Sequence, residues 1–258
     1  MDHKGNNLME RAIKVFAFSW MIWFVFPLLF LIGAFFFKIH AVSAVLSDPR
    51  FWAAFWVSII SSIIVIIVSI IFAVPTAHFL TYHDFKYKKF LETLLIDVPQ
   101  TFPPVAIGVI YLFAFGPGSP INLAFTFTAV VISKIIISAP FALGYVLRRF
   151  RQINESNLDL VARSLGASTR DVLFRVLIPL SRQDIAAGLT MASARAMGEF
   201  GGSLIFAGTI AYKTEVLPTY TNRVVATDPF LALAATTVMT IFALISLTLA
   251  KAVFSKSQ

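Results

Sequence analysis

The sequence predicts an all-α membrane protein, with six transmembrane helices and one polar helix–glycine–helix segment on the cytoplasmic side. Three observations carry this. Apolar residues make up 58% of the 258, at a mean hydropathy of +0.83, which no soluble domain of ordinary composition approaches. They collect into six stretches, each close to the ~20 residues that a bilayer-spanning helix needs. The charges collect as well, chiefly into a basic island at residues 148–182.

The first stretch, 15–37, has no ionisable side chain. It is too long for a signal-peptide core and lacks a small-residue cleavage site, so it reads as a retained helix. Its Trp20, Trp23, Phe24, Phe26 and Phe30 suit a lipid-facing surface. Residues 51–77 are dense in Ile and Val, which in water favour strand. An uncharged run of this length must nevertheless be helical, because only helices and closed barrels satisfy their backbone in lipid.

The third stretch, 91–115, is interrupted by Glu92 and Asp97 and carries Pro99, Pro103 and Pro104. These prolines lack backbone donors, so the helix must break or bend near mid-membrane. A break creates a new helix N-terminus near Val105, with free N–H groups and the positive dipole end, which suits anions. Broken helices at depth line a cavity or are buried in protein; a kink used only for packing is the alternative. Gly116, Pro117, Gly118 and Pro120 then form an outer turn.

The fourth stretch, 123–147, places Lys134 about eleven residues from its outer end, near the bilayer centre at ~1.5 Å per residue. A lysine there faces a cavity or a partner, and Glu199 is the candidate partner. The fifth, 185–208, is rich in Gly and Ala, which let helices approach closely. Arg195 and Glu199 lie four apart in it and can pair on one helix face. By the same rise, Lys134, Arg195 and the Pro103-Pro104 break fall at similar depth, a zone of net positive potential that an anion could cross. An outer loop, 209–228, leads to the last stretch, 229–250.

Six spans put both termini on one side. Fifteen of the 21 Lys and Arg lie on that side: Lys4, Arg11 and Lys14, then Lys86, Lys88 and Lys89, then seven in the island, then Lys251 and Lys256. Only Lys38, Arg50, Lys213 and Arg223 fall on the other. By the positive-inside rule the termini and the island are cytoplasmic. The net charge of +8 is therefore a topology signal and not a nucleic-acid footprint. Residues 1–14 form a cytoplasmic N-terminus, and 15–254 a six-helix membrane domain that includes 148–182. With no cysteine and four scattered histidines, neither a thiol nucleophile nor a metal cluster is encoded. No Gly-x4-Gly-Lys occurs, so the chain is not a P-loop ATPase.

The island carries two helix starts. Ser156-x-x-Asp159 and Ser168-x-x-Asp171 have capping-box spacing. The first helix sets Leu158, Val161, Ala162 and Leu165 on one face; Gly166 follows, suited to a left-handed C-terminus. The second carries Val172, Leu173, Val176 and Leu177, and Pro179 is expected to close it.

This segment resembles the E-A-A-x3-G-x9-I-x-L-P motif of ABC importer permeases, here Leu160-Val161-Ala162, Gly166 and Val176-Leu177-Ile178-Pro179. The leading glutamate is absent: Leu160 occupies its place, with Asp159 just before. Arg195-Ala196-Met197-Gly198-Glu199-Phe200-Gly201 resembles the R-A-x-G-E-F-G run of permeases for molybdate, tungstate and sulfate. Lys213 to Pro218, and Pro103-Pro104 with Gly108, are most similar to the molybdate group. The resemblance implies that Asp159, Val161, Ala162, Arg163, Gly166, Ala167 and Ser168 dock on a separate ATPase. In such a permease, Pro103, Pro104, Lys134, Arg195, Glu199 and Gly201, from the zone of similar depth, are expected to line the translocation pathway. Two copies of the chain would join two ATPase subunits, which hold ATP and Mg, and an external oxyanion-binding protein. The chain itself would bind no cofactor and be no enzyme. A sulfate permease is the near alternative. An ion-coupled secondary transporter is the distant one, and it would favour an internal repeat, which the sequence lacks. A membrane scaffold or receptor would not need the broken third helix.

Overall fold

The computed structural model describes residues 3–37 and 39–255, with side chains described for 9–33, 36 and 40–244. Lys38 and Lys256 of the charge pattern lie outside the described residues, as do the side chains of Lys4 and Lys251. Among the described residues every regular element is helical.

Helix α1 (His3–Phe37) and the short α2 (Ile39–Ser47) precede α3 (Pro49–Tyr82). Asp48 starts α3: its Oδ1 accepts from the Arg50 N–H at 2.8 Å, and Pro49 occupies the first turn, where its missing donor costs nothing. Next come α4 (Lys88–Glu92), a π turn π1 (Thr93–Asp97), α5 (Val98–Thr101) and α6 (Pro104–Phe115). The long α7 (Phe127–Glu155) begins at Thr126, whose Oγ1 accepts from the Ala129 N–H at 3.2 Å. The island folds as α8 (Leu158–Ser164), α9 (Thr169–Asp171), π2 (Val172–Leu177) and α10 (Ile178–Leu180). The chain closes with α11 (Arg182–Met197), π3 (Ser203–Ala207), α12 (Leu217–Val225) and α13 (Pro229–Ser255).

Three of these are long and apolar enough to cross a bilayer: Met9–Gly33 within α1, then α3 and α7. Lys88–Thr101 and α6 qualify as a fourth if taken together, bent by 112° at the expected prolines. The fifth stretch is not one helix, since α11 stops at Met197. The sixth forms α13, of which Pro229–Leu244 is a shorter apolar run.

The middle of α3 packs inside-out compared with a soluble helix. Along its middle the buried residues are mostly small, Ser58, Ser61, Ser62, Val65, Ser69 and Ala73, while Ile60, Ile63, Ile67 and Ile71 are exposed; the large buried side chains, Phe51, Phe55, Val74 and Leu80, lie toward its ends. Lipid tails are as apolar as isoleucine, so no transfer energy draws large side chains inward, and small residues win the interface by letting backbones approach. Against this face lies α7, with α11 behind it; Ala142, Leu143, Val146, Leu147 and Phe150 join Val74, Leu80 and Ala192 in one core. A second core joins α2, α3, α12 and α13 around Phe51, Tyr220 and Ala235. Helix α1 is exposed around its described length, with Trp23 at 75% and Phe16 at 73%, as its aromatic composition predicts.

Two π turns sit just before prolines. The Val98 N–H bonds the Thr93 carbonyl ahead of Pro99, and the Ile178 N–H bonds the Leu173 carbonyl ahead of Pro179. A proline ring collides with the carbonyl four residues back in an α-helix, and a widened turn relieves the collision. This overturns the expected stop at Pro179. The helix passes through it to Leu180 and bends only at Ser181.

Candidate functional site

Two broken helices meet where α6 packs against π3. In the first, Phe102 and Pro103 are extended and α6 restarts at Pro104. In the second, α11 ends at Met197, Gly198 to Phe200 leave the helix, and π3 follows. Glu199 organises this second break. Its Oε1 accepts from the Gly202 N–H at 2.7 Å; its Oε2 accepts from the Ser203 N–H at 3.1 Å and from the Ser203 hydroxyl. The carboxylate therefore satisfies donors that the restarting turn would otherwise orphan. It is fully buried.

The breaks touch backbone to backbone. A Cβ at Gly201 would lie 2.7 Å from the Val105 nitrogen and 2.9 Å from the Pro104 carbonyl carbon. One at Gly108 would lie 3.0 Å from the Gly202 Cα, and one at Gly202 3.0 Å from the Ser133 Cβ. The structure thus brings Pro104, Gly201 and Glu199 together, with Pro103 exposed beside them.

The expected charge pairs do not form. Arg195 and Glu199 are four apart in sequence, but α11 stops between them, so the helical spacing that would align them is lost. Arg195 is half-buried and, among the described residues, has no hydrogen bond or ion pair. Nor does Lys134 pair with Glu199: no carboxylate of the described residues lies within 4.0 Å of its ammonium. Lys134 is fully buried, and its Nζ donates to the Ser58 carbonyl and the Ser62 hydroxyl, both at 3.3 Å. Its helix starts at Phe127, so it lies seven residues into α7 and nearer that helix's start than a count from Leu123 implies. The serines on α3 were not anticipated as its partners, although their helical spacing was visible in the sequence.

In the island, the Ser168 capping box forms as predicted. Ser168 Oγ accepts from the Asp171 N–H at 3.2 Å, and Asp171 Oδ2 accepts from the Ser168 N–H at 3.2 Å and from its hydroxyl at 2.5 Å. Those bonds, with the Arg175 and Arg170 charges, hold the Asp171 carboxyl below its usual range. The Ser156 box does not form. Ser156 caps the end of α7, its hydroxyl donating to the Ile153 carbonyl at 2.7 Å, and Asn157 makes the turn at φ +59°. α8 then ends in a Schellman motif, with the Gly166 N–H on Arg163 O at 3.0 Å, the Ala167 N–H on Ala162 O at 3.1 Å, and Gly166 at φ +88°.

Of the predicted stripe on α8, Leu158, Val161 and Leu165 face outward, Ala162 packs half-buried against the core, and Leu160 is exposed beside them. Leu158, Leu160, Val161 and Leu165 are 48, 60, 55 and 83% exposed. Of the docking residues, Val161, Gly166 and Ser168 are exposed, Ala162, Arg163 and Ala167 half-buried, and Asp159 buried. A further cluster escaped sequence reading altogether. Buried Glu215 accepts from Arg50 at 2.6 and 2.9 Å and from Arg223 at 3.2 Å. Beside it, the Tyr220 hydroxyl donates to Asp48 at 2.7 Å, and burial followed by Asp48 pushes that phenol well above its usual range. Asp48 and Glu215 are remote in sequence, so no local spacing announces their meeting.

The chain is similar to a family of known proteins, to named relatives and to a solved structure. The family model described as binding-protein-dependent transport system inner membrane component matches residues 69–257. The molybdenum transport system permease protein ModB of Mycobacterium bovis is 30% identical over 223 residues, covering 79% of this chain and 83% of the relative. The molybdate/tungstate transport system permease protein WtpB of Methanocaldococcus jannaschii is 29% identical over 178 residues, 67% of this chain and 69% of the relative. Sulfate transport system permease protein CysW of Escherichia coli is 28% identical, over 67% of this chain and 62% of the relative. The fold is similar to that of a bacterial ABC transporter involved in alginate import, with a TM-score of 0.78 at 17% identity over 98% of this chain and 97% of that one.

Proposed function

Because the chain belongs to the family of binding-protein-dependent transport system inner membrane components, we propose that it is the membrane subunit of an ATP-driven importer for a tetrahedral oxyanion, molybdate or tungstate. Permease subunits of this family are not themselves enzymes. The relatives named for molybdenum, molybdate and tungstate support the cargo. One structural observation carries it furthest. Half-buried Arg195, with no hydrogen bond or ion pair among the described residues, lies two residues before the end of α11, where the second break begins. An unpaired guanidinium suits a dianion in transit. Pro103, Pro104, Gly201 and Glu199 shape that zone, while Lys134 contributes from behind as a tie between α7 and α3. The sulfate-named relative supports sulfate as a second reading.

In this reading the chain makes six spans with both termini cytoplasmic, works as a homodimer, and receives its cargo from an external binding protein. The outward apolar stripe of α8, with Gly166 and Ser168, docks in a groove on each of two ATPase subunits, which hold the ATP and Mg. The test is uptake into proteoliposomes. Molybdate or tungstate should accumulate only with the partner ATPase and ATP, and sulfate should compete poorly; uptake without either would sink the proposal.

Two variants refine it. Arg195→Gln should lower uptake about tenfold or more, the worth of one charge-assisted hydrogen bond. The detergent-solubilised protein should stay as stable as the parent, since no partner within the chain is lost; wild-type flux would remove Arg195 from the pathway. Gly166→Val has room, since its Cβ meets nothing within 4 Å, but it must hold a β-branched residue at φ +88°. That strain costs about 1–3 kcal/mol, enough to re-aim the elbow. The variant should insert normally, with uptake per ATP reduced severalfold; an unchanged ratio would exclude the elbow from coupling.

A further inference from the structure

Three buried polar atoms without hydrogen bonds are found where α8 meets the C-terminal end of α3: His78 Nε2, Tyr82 Oη and Asp159 Oδ1. The His78 and Tyr82 rings lie 4.9 Å apart, and the Arg163 guanidinium sits 5.7 Å from the Tyr82 ring centre. Asp159 acts electrostatically on the Tyr82 hydroxyl. It is 5% exposed, although its neighbours Leu158 and Leu160 are 48 and 60% exposed. One residue turns a helix by roughly 100°. A carboxylate at position 160 would face outward with the docking stripe; at 159 it faces α3.

We infer that Asp159, Tyr82 and Arg163 form a polar joint that ties α8 to α3. Displacement of α8 is then passed directly to the second span, and not only along the chain into α7 and α11. Asp159 and Arg163 are one turn apart on α8 and bring opposite charges to the same phenol, so the buried groups compensate one another. Asp159 is thereby a positioning residue and not a docking one. The tie stands on the burial of Asp159 and the Tyr82 hydroxyl and on the place of Arg163 beside the phenol ring; its role in transmission rests on the transporter reading above.

Tyr82→Phe removes the hydroxyl and little volume, and Asp159→Asn removes the charge. In the purified chain, amide hydrogen exchange of residues 158–164 should quicken several-fold in both variants, and no further in the double variant, because the two residues act as one unit. Unchanged exchange overturns the joint. In the reconstituted complex, uptake per ATP hydrolysed should fall about tenfold, within the span of ordinary coupling energies. Faster exchange with an unchanged ratio overturns the transmission. If uptake and hydrolysis fall in parallel, Asp159 is a docking residue and the assignment fails. If the parent chain shows no ATP-dependent uptake, the transporter reading falls, and exchange still judges the joint.

Discussion

Gly201→Val is expected to yield little or no monodisperse protein. The new Cβ would stand 2.7 Å from the Val105 nitrogen and 2.9 Å from the Pro104 carbonyl carbon. Both are backbone atoms, so no rotamer change clears them, and the two broken helices must separate instead. Overpacking in a close-packed core costs about 1–3 kcal/mol when side chains can adjust. A collision with backbone belongs above that range, against a total stability of about 5–15 kcal/mol. Size-exclusion chromatography of detergent extracts measures it. Gly33→Val is the control, because a Cβ there meets nothing within 4 Å. Equal recovery of both variants would mean that the helices are not in contact at Gly201.

Glu199→Ala should produce the next largest loss. It strips the acceptor from the Gly202 N–H, the Ser203 N–H and the Ser203 hydroxyl, all in a buried site. Each buried donor left unsatisfied costs about 1–3 kcal/mol, so thermal unfolding in detergent should shift down by many degrees. Glu199→Gln keeps one oxygen but turns an NH2 toward donors, and should recover only part. Because Arg195 does not pair with Glu199, Arg195→Gln should add nothing beyond its own small effect in the double variant. An interaction energy well above the ~0.5 kcal/mol of independent sites would restore the ion pair.

The fold was legible wherever a local rule decides. Apolar length marked α1, α3 and α7; the prolines marked the bend before α6; Ser168-x-x-Asp171 and Gly166 marked their cap and elbow. Several failures lie at helix ends, which spacing rules cannot place. Arg195 and Glu199 lost their pairing because α11 ends between them, and Ser156 lost its box because α7 ran on to Glu155. The Lys134 partners and the Glu215 cluster depend on residues brought from far along the chain. The exposed apolar residues of α8 were visible as a stripe, but not the inward turn of Asp159.

The π turn at Val172–Leu177 sets the angular phase of everything after it. Val172 and Leu177 are its two fully buried residues. Five residues apart, they would point about 140° away from each other on an α-helix. A bond to the fifth residue back brings them roughly into line. Val172 therefore keeps the arm against the core while Leu177 does the same a turn later. Were the Ile178 N–H to return to the Phe174 carbonyl, one of them would swing out, and α11 would start at a different azimuth. Pro179 resists that return, because its ring needs the widened turn. The angle at which the arm hands over to α11 is thus held by a proline inside the helix rather than by the loops around it.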